Sequence, residues 1–131
     1  MRLLDTNICI YILKNKPVKV LEKFKKFNIG ELKLSSITVA ELYFGAYNSS
    51  YIEKNISVIE RFLIPFEIVN FDEKAAMEYG KVKAKLRKKG NIIGELDMQI
   101  ASIAISNNLI LVTNNIKEFA RIENLDFENW I

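Results

Sequence analysis

The chain has 131 residues, a length that suits one domain, and its composition, 50% hydrophobic and 27% charged, excludes a disordered protein. It contains no histidine, which excludes Ser-His-Asp and Cys-His catalysis and a zinc site with imidazole ligands. The single cysteine, Cys9, cannot form an internal disulfide, and 19 basic against 16 acidic residues give a net charge of only +3.

No segment has the pattern of a secretory signal or of a transmembrane helix. The first residues reach Asp5 before an apolar signal core could form, and the most apolar segment, 92–105, carries two acids near its start. Together with the lone cysteine, these features predict a cytoplasmic protein.

The first half of the chain alternates short apolar runs with helical patterns. Residues 2–5 predict a buried strand that ends at an acid, and Thr6 and Asn7 offer a helix cap. The other predicted elements of this half are a helix at 8–13, helical spacing after Pro17, a strand at 32–35, and helices at 38–47 and 51–63.

The second half continues the alternation. Its predicted elements are a strand at 66–69, a helix capped by Asp72 and running to about Lys89, the most apolar helix at 95–106, a strand at 110–112, a helical turn closing at Phe119, and an edge strand at 125–127. Strands that alternate with helices favour a parallel sheet covered on both faces. We therefore predict an α/β fold: a three-layer α/β/α sandwich with a short, mostly parallel central sheet of four or five strands, formed by residues 1–131 as one domain.

Two acidic side chains follow predicted strands at the place where such a sheet binds ligands. In open parallel sheets, ligands bind beyond the carboxyl ends of the strands. Asp5 directly follows the first strand, and Glu41 lies one turn into the helix after the second. Taken alone, each has an ordinary alternative, because acids are common as N-caps and in first turns of helices.

Asp97 is the most informative acid. It precedes Ile100, Ala101 and Ala104 by three, four and seven residues, which places it on the buried face of its helix. An ionised carboxylate there is costly unless it is paired, and no lysine or arginine is an obvious partner. Either the side chain swings out to solvent or a shared metal ion compensates several acids at once.

Only oxygen ligands are available to such an ion, and they favour Mg²⁺ or Mn²⁺. A divalent cation lowers the pKa of bound water and stabilises charge on a phosphoryl group. Thr113, Asn114 and Asn115 follow the fourth strand, and Glu118 lies one turn further on. These residues could supply oxygen ligands or hold water, although an ordinary turn and cap explains each of them equally well.

Basic residues crowd two segments. Lys81, Lys83, Lys85, Arg87, Lys88 and Lys89 have no acid between them, and a second group between Lys14 and Lys26 is diluted by Glu22. A solvated helix face is the ordinary interpretation of such a run. The more specific interpretation is a surface at the rim of the site that contacts nucleic-acid phosphates, with Lys83, Arg87 and Lys88 as its members.

Four ordered segments resemble the motifs of the PIN-domain nucleases, specifically the VapC-type toxins of toxin–antitoxin pairs, over almost the whole chain. The segments are LDTN at 4–7, SITVAEL at 36–42 followed by Gly45, IGELDMQIA at 93–101 and LVTNNIKEF at 111–119, with LDFENW at 125–130 resembling the terminal strand. The resemblance implies that Asp5, Glu41 and Asp97 coordinate Mg²⁺ as catalytic acids. It implies Glu118 as the fourth acid, and Asn115 stands where some members carry aspartate. Thr6, Asn7, Thr113 and Asn115 are the implied supporting polar groups.

The resemblance further implies cleavage of RNA, often tRNA or rRNA, inhibition by a cognate antitoxin, and a homodimer. The predicted function is thus a metal-dependent endoribonuclease, with a non-catalytic PIN-like module that binds RNA or protein as the alternative. A phosphotransfer enzyme is disfavoured, because Asn7 replaces the second aspartate of haloacid-dehalogenase-like phosphatases and no glycine-rich phosphate loop occurs. Four aromatic residues, Tyr43, Phe44, Tyr47 and Tyr51, either form a surface for a homodimer or antitoxin or belong to the core.

Overall fold

Five short parallel strands form the central sheet of the computed structural model, which describes residues 1–131. The strands are β1 (Arg2–Leu4), β2 (Leu32–Ser35), β3 (Glu67–Val69), β4 (Ile110–Val112) and β5 (Phe127–Glu128), in the spatial order β3-β2-β1-β4-β5. In the central strand, Leu4 lies opposite Leu34 on one side and Val112 on the other. The carboxyl ends of β1, β2 and β4 therefore meet at one edge of the sheet.

Seven α-helices connect and cover the strands. They are α1 (Thr6–Lys14), α2 (Val18–Lys25), α3 (Ser36–Tyr47), α4 (Ile52–Leu63), α5 (Glu73–Lys88), α6 (Glu95–Ser106) and α7 (Ile116–Phe119), with a 3₁₀ turn at Ile29–Glu31. None of these helices combines the length and the hydropathy needed to cross a bilayer.

Two hydrophobic cores lie on opposite faces of the sheet. Successive strand residues point to opposite faces, so Leu3 packs with Val82 of α5 and Ile103 of α6 on one side. Leu4 packs on the other side with residues of α1 and α3, including Ile8 and Leu42. The predicted three-layer α/β/α sandwich with a five-stranded sheet is confirmed.

The observed elements start and end within two residues of the predicted bounds, and side-chain caps explain two of the differences. Helix α1 begins at Thr6 because Asp5, and not Thr6 or Asn7, is its N-cap: the Asp5 carboxylate accepts a hydrogen bond from the Ile8 amide at 2.9 Å. Helix α3 begins at residue 36 rather than 38 because the Ser35 hydroxyl accepts from the Thr38 amide at 3.0 Å.

Strand β5 (Phe127–Glu128) starts two residues later and ends one residue later than predicted. The Thr113 amide donates to the Glu128 carbonyl at 3.0 Å, which carries the pairing with β4 beyond the predicted end at 127. Just after this strand, the Trp130 and Phe27 rings stack with centroids 5.4 Å apart. Arg2 lies over the same Phe27 ring and pairs with Glu128. These contacts bind the last residues of the chain to β1 and to the segment after α2.

Candidate active site

Asp5 is a buried acid at the junction of β1 and α1. It is the only buried charged residue of the chain, 5% exposed, and its amide donates to the Val112 carbonyl of β4 at 3.0 Å. Burial raises the pKa of Asp5, and the nearby Glu41 carboxylate adds to this, whereas hydrogen bonds from the Thr113 hydroxyl and the Ile8 amide oppose it. The acid thus has hydrogen-bond donors around it but no cation.

Glu41 is held in place by two threonines. Its Oε1 accepts a hydrogen bond from Thr6 Oγ1 at 2.6 Å, and Thr6 Oγ1 lies 3.0 Å from the Oγ1 of Thr38. Thr38 is fully buried one turn before Glu41 on α3. The first residue of α1 therefore orients the acid of α3 toward the edge of the sheet that carries Asp5.

Asp97 lies in the first turn of α6 and is half-buried, as its spacing predicted. Ile100, Ala101 and Ala104 of the same helix are buried. The pKa of Asp97 is raised to about 6, first by burial and then by the charges of Glu118, Asp5 and Glu41. Asp5, Glu41 and Asp97 line one cavity, and Glu118 has the largest effect on Asp97 among the three other acids, so the four acids lie near one another. No lysine or arginine forms an ion pair with any of them.

Glu118 reaches the cluster from α7 with help from Asn115. The Asn115 Nδ2 donates to Glu118 Oε2 at 3.0 Å, and the Asn115 amide donates to Thr113 Oγ1 at 3.0 Å. The side-chain Nδ2 of Asn115 thus positions Glu118. Thr113, whose hydroxyl also donates to Asp5, connects Asn115 and Glu118 to Asp5.

Three of the acids open into a cavity of about 520 Å³. Its lining combines polar and acidic side chains with apolar ones from three helices, and contains no lysine or arginine. The lining residues are Asp5, Thr6, Asn7, Ile10, Ile37, Ala40, Glu41, Phe44, Leu96, Asp97 and Ile100.

The donor set fits a hard divalent cation. All the ligand atoms on offer are carboxylate, hydroxyl or amide oxygens, which is the chemistry that Mg²⁺ and Mn²⁺ prefer. As the side chains stand, no three acids surround a single point as in a closed metal site. Mg²⁺ does not need such a cage, because it is usually held by one or two carboxylates and keeps several waters. The site therefore fits an open, partly hydrated ion.

Comparison with known proteins decides the family. Residues 2–125 match the PIN domain family. The chain belongs to this family. Within the PIN domains it is 50% identical to the Ribonuclease VapC2 of Haemophilus influenzae over 129 residues, which cover 98% of this chain and 97% of that protein. It is 43% identical to the tRNA(fMet)-specific endonuclease VapC of Shigella flexneri, with 98% and 96% of the two chains covered.

A solved structure gives the same answer for the fold. This PIN domain superimposes on a chain of the DNA-bound VapBC structure from Salmonella typhimurium with a TM-score of 0.92, at 41% identity and with both chains fully covered. The predicted family, fold and enzyme class are confirmed: the protein is a PIN-domain ribonuclease of the VapC group. Ribonucleases of this family are generally metal-dependent.

The structure brings most of the predicted site residues together. The four acids converge, Thr6 and Asn7 line the cavity, and Thr113 and Asn115 support its edge. The predicted rim residues Lys83, Arg87 and Lys88 lie outside the cavity lining. Of these, Lys83 lies beside the first turn of α6, because its Nζ donates to Glu95 Oε1 at 2.7 Å. Glu95 precedes Asp97 by two residues. Tyr79 also donates to Glu95.

Two features were missed by sequence reasoning. Thr38 was not predicted as part of the site, although its position three residues before Glu41 places it on the same helix face. The apolar cavity walls were not predicted either, because they come from three different helices. Of the four aromatic residues on α3 and after it, Phe44, Tyr47 and Tyr51 are 69%, 62% and 71% exposed, so they do not belong to the core.

Proposed function

We propose that this PIN domain is a Mg²⁺-dependent endoribonuclease that acts as the toxin of a toxin–antitoxin pair and hydrolyses phosphodiester bonds of RNA. One observation carries the proposal. Asp97 lies half-buried on the apolar face of α6, close to three acids from other elements, and no lysine or arginine compensates their charge. Such an arrangement is unfavourable for the protein alone and becomes favourable around a divalent ion.

Asp5, Glu41 and Asp97 are the proposed catalytic acids and metal ligands, and Glu118 is the proposed fourth acid. The ion, when bound, lowers the pKa of water and stabilises charge on the phosphate. Thr6 fixes the direction of the Glu41 carboxylate through its 2.6 Å hydrogen bond. Asn115 does the same for Glu118 at 3.0 Å. The chain thus presents its acids in fixed orientations before the substrate arrives.

The proposed substrate is a transfer RNA, cut in a single-stranded loop. The Shigella flexneri and Salmonella typhimurium relatives, at 43% and 41% identity, are named tRNA(fMet)-specific endonucleases. A cavity of about 520 Å³ has the volume for a nucleotide turned out of a stack. Phe44 lines this cavity and is 69% exposed, so its ring can stack on a base.

Lys83, Arg87 and Lys88 are the proposed contacts to neighbouring phosphates. Lys83 is held beside the first turn of α6 by Glu95, and the side chains of Arg87 and Lys88 are exposed near the end of α5. Cations at such a rim position the RNA without reading its sequence.

The proposed protein partner is a cognate antitoxin. Several solved relatives are VapBC toxin–antitoxin complexes. In this chain, a second groove adjoins the acid cavity, shares Ile10 and Glu41 with it, and is lined by apolar side chains. Leu13, Val58 and Ile59 belong to this lining. An amphipathic segment of an antitoxin could bury its apolar face there and cover the acids.

We also propose a homodimer, a single PIN domain over residues 1–131, and a cytoplasmic location. The exposed aromatics Tyr47 and Tyr51 supply an apolar surface for a second copy. The family match over 2–125 and the two cores on one sheet support a single domain. The proposed substrate, tRNA, lies in the cytoplasm.

Metal binding and cleavage test the proposal together. Calorimetry of the metal-free chain should detect Mg²⁺ binding that Asp97→Asn loses. With Mg²⁺, the wild type should cut an initiator-tRNA transcript at a discrete site and leave an elongator-tRNA control largely intact. A chain that binds the tRNA but neither binds Mg²⁺ nor cleaves would instead support the non-catalytic binding module.

A further inference from the structure

A second charged surface lies on α5, outside the acid cavity. Helix α5 and the following Lys89 contain seven of the chain's 19 basic residues and two of its 16 acidic ones, a net charge of +5. This exceeds the net charge of +3 of the whole chain, so the rest of the protein is net negative. Segment 14–26, with six basic residues and one acid, carries the same net charge, so the excess positive charge of the molecule lies on these two segments.

Three of these lysines share one face of the helix. Lys81, Lys85 and Lys89 follow one another at intervals of four residues, beside the buried residues Val82 and Leu86. They line a narrow cleft between α5 and the segment 121–124, and Arg121 lines the opposite wall. This cleft shares no residue with the acid cavity.

Two carboxylates of the protein already pair with the lysines of the cleft. Glu123 accepts from Lys89 Nζ at 2.7 Å and lies 3.7 Å from Lys85 Nζ, while Glu78 lies 3.6 Å from Lys81. Two carboxylates against four cations leave the lining with a charge of +2. The lysine side chains are 51–61% exposed, so these ion pairs are weak and can exchange Glu123 for another anion.

Arg121 connects the cleft to the candidate active site. Its amide donates to the Glu118 carbonyl at 3.1 Å, within the turn that ends α7. One guanidinium nitrogen donates to the Ile92 carbonyl at 3.4 Å, and the other N–H groups have no acceptor in the protein. The guanidinium is thus directed by the backbone while most of its donors stay free for a phosphate.

We propose that Lys81, Lys85, Lys89 and Arg121 form a binding site for the phosphodiester backbone of the RNA, separate from the site of cleavage. The inference rests on the proposed function and names a surface by which the substrate is held. The cleft is positively charged and solvent-accessible, and its Arg121 follows Glu118 by one helical turn. Binding there is independent of sequence and strongly dependent on salt.

Binding of a labelled RNA stem–loop in EDTA, measured by fluorescence anisotropy at several salt concentrations, tests the site without cleavage. The double variant Lys85→Gln/Lys89→Gln should weaken binding about tenfold and reduce the slope of log K against log salt by about two. The matched control Lys54→Gln/Arg61→Gln removes two exposed cations from α4 and should change the affinity less than about twofold. Glu123→Gln frees both lysines and should strengthen binding about threefold.

The outcomes separate this inference from the proposed function. If the wild type binds RNA and cleaves it with Mg²⁺, but the α5 double variant matches the α4 control, the binding site on α5 is wrong and the nuclease stands. Weaker binding with an unchanged salt slope also overturns the site. A wild type that binds no RNA in EDTA overturns the site, whereas absence of cleavage in Mg²⁺ overturns the proposed function.

Discussion

At the scale of single residues, Asp97 contributes to the pH dependence of the stability of the metal-free protein. Its pKa of about 6 lies above the ordinary value of 3.8, so the folded state holds this proton more tightly than the unfolded chain does. The free energy of unfolding should therefore fall as pH rises from about 4 to about 6 and stay low above that. The raised pKa of Asp5 contributes with the same sign.

Replacing Asp97 with asparagine should remove most of this loss. In EDTA at pH 8, we expect Asp97→Asn to be more stable than the wild type by about 1 kcal/mol, a value discounted for the partial exposure of the side chain. Thermal unfolding at pH 5 and pH 8 measures the effect as a difference of a few degrees. Parallel pH dependence in the two proteins would show that Asp97 is not the group responsible.

Thr6 should act on catalysis through Glu41. Its hydroxyl donates to Glu41 Oε1 at 2.6 Å, and groups that orient a metal ligand typically contribute 10–100-fold to affinity or rate. Thr6→Val should weaken Mg²⁺ binding and lower cleavage at least about tenfold, whereas Thr6→Ser should retain both. Calorimetry and initial rates give the two readouts. Equal loss in the serine and valine variants would point to packing of the methyl group instead.

At the scale of the elements, Asp5 combines two tasks that substitution can separate. It caps α1 by accepting from the Ile8 amide at 2.9 Å, and it faces the other acids. Asp5→Asn keeps an oxygen acceptor for the cap but loses the charge, so we expect a folded protein of near wild-type stability without cleavage activity. Asp5→Ala should lose activity and also about 1–2 kcal/mol of stability. If Asn destabilises as much as Ala, the cap is not the source of the structural contribution.

The sequence predicted features that are set by spacing within one element, and it missed features that depend on side-chain contacts. Helix α6 was predicted with its correct bounds because its apolar spacing is set within the helix, and that spacing also placed Asp97. The start of α3 was missed because it depends on the Ser35 cap, and the Asn115–Glu118 and Lys83–Glu95 hydrogen bonds were missed because they depend on side-chain rotamers and packing. Contacts of this kind are fixed only once the backbone has folded.

At the scale of the whole molecule, the sheet order creates the site. β1 lies at the centre, so Asp5 has α3 with Glu41 on one side and the β4–α7 segment with Glu118 on the other. Alternation of strands and helices predicted the parallel sheet but could not give this order, which depends on tertiary pairing. The sequence motifs named the four acids as candidates, and the topology explains why residues separated by up to 113 positions come to the same edge of the sheet.

The chain's last residues should matter for stability and not for catalysis. Trp130 is 3% exposed and stacks on Phe27 at 5.4 Å, outside the acid cavity. Trp130→Ala should lower the free energy of unfolding by about 3 kcal/mol, as for other buried aromatic residues. Urea unfolding measures the loss, and cleavage per folded molecule at low temperature should be unchanged. A stability change below about 1 kcal/mol would show that this stack contributes little.

Cleavage of total cellular RNA is the direct test of a metal-dependent ribonuclease. The purified chain, free of any antitoxin, is incubated with RNA in Mg²⁺ or in EDTA, beside the folded Asp97→Asn variant. We predict discrete fragments with the wild type in Mg²⁺ and none in EDTA or with the variant. Equal cleavage by Asp97→Asn, or no cleavage by the folded wild type in Mg²⁺, would contradict a carboxylate-held metal as the centre of this ribonuclease.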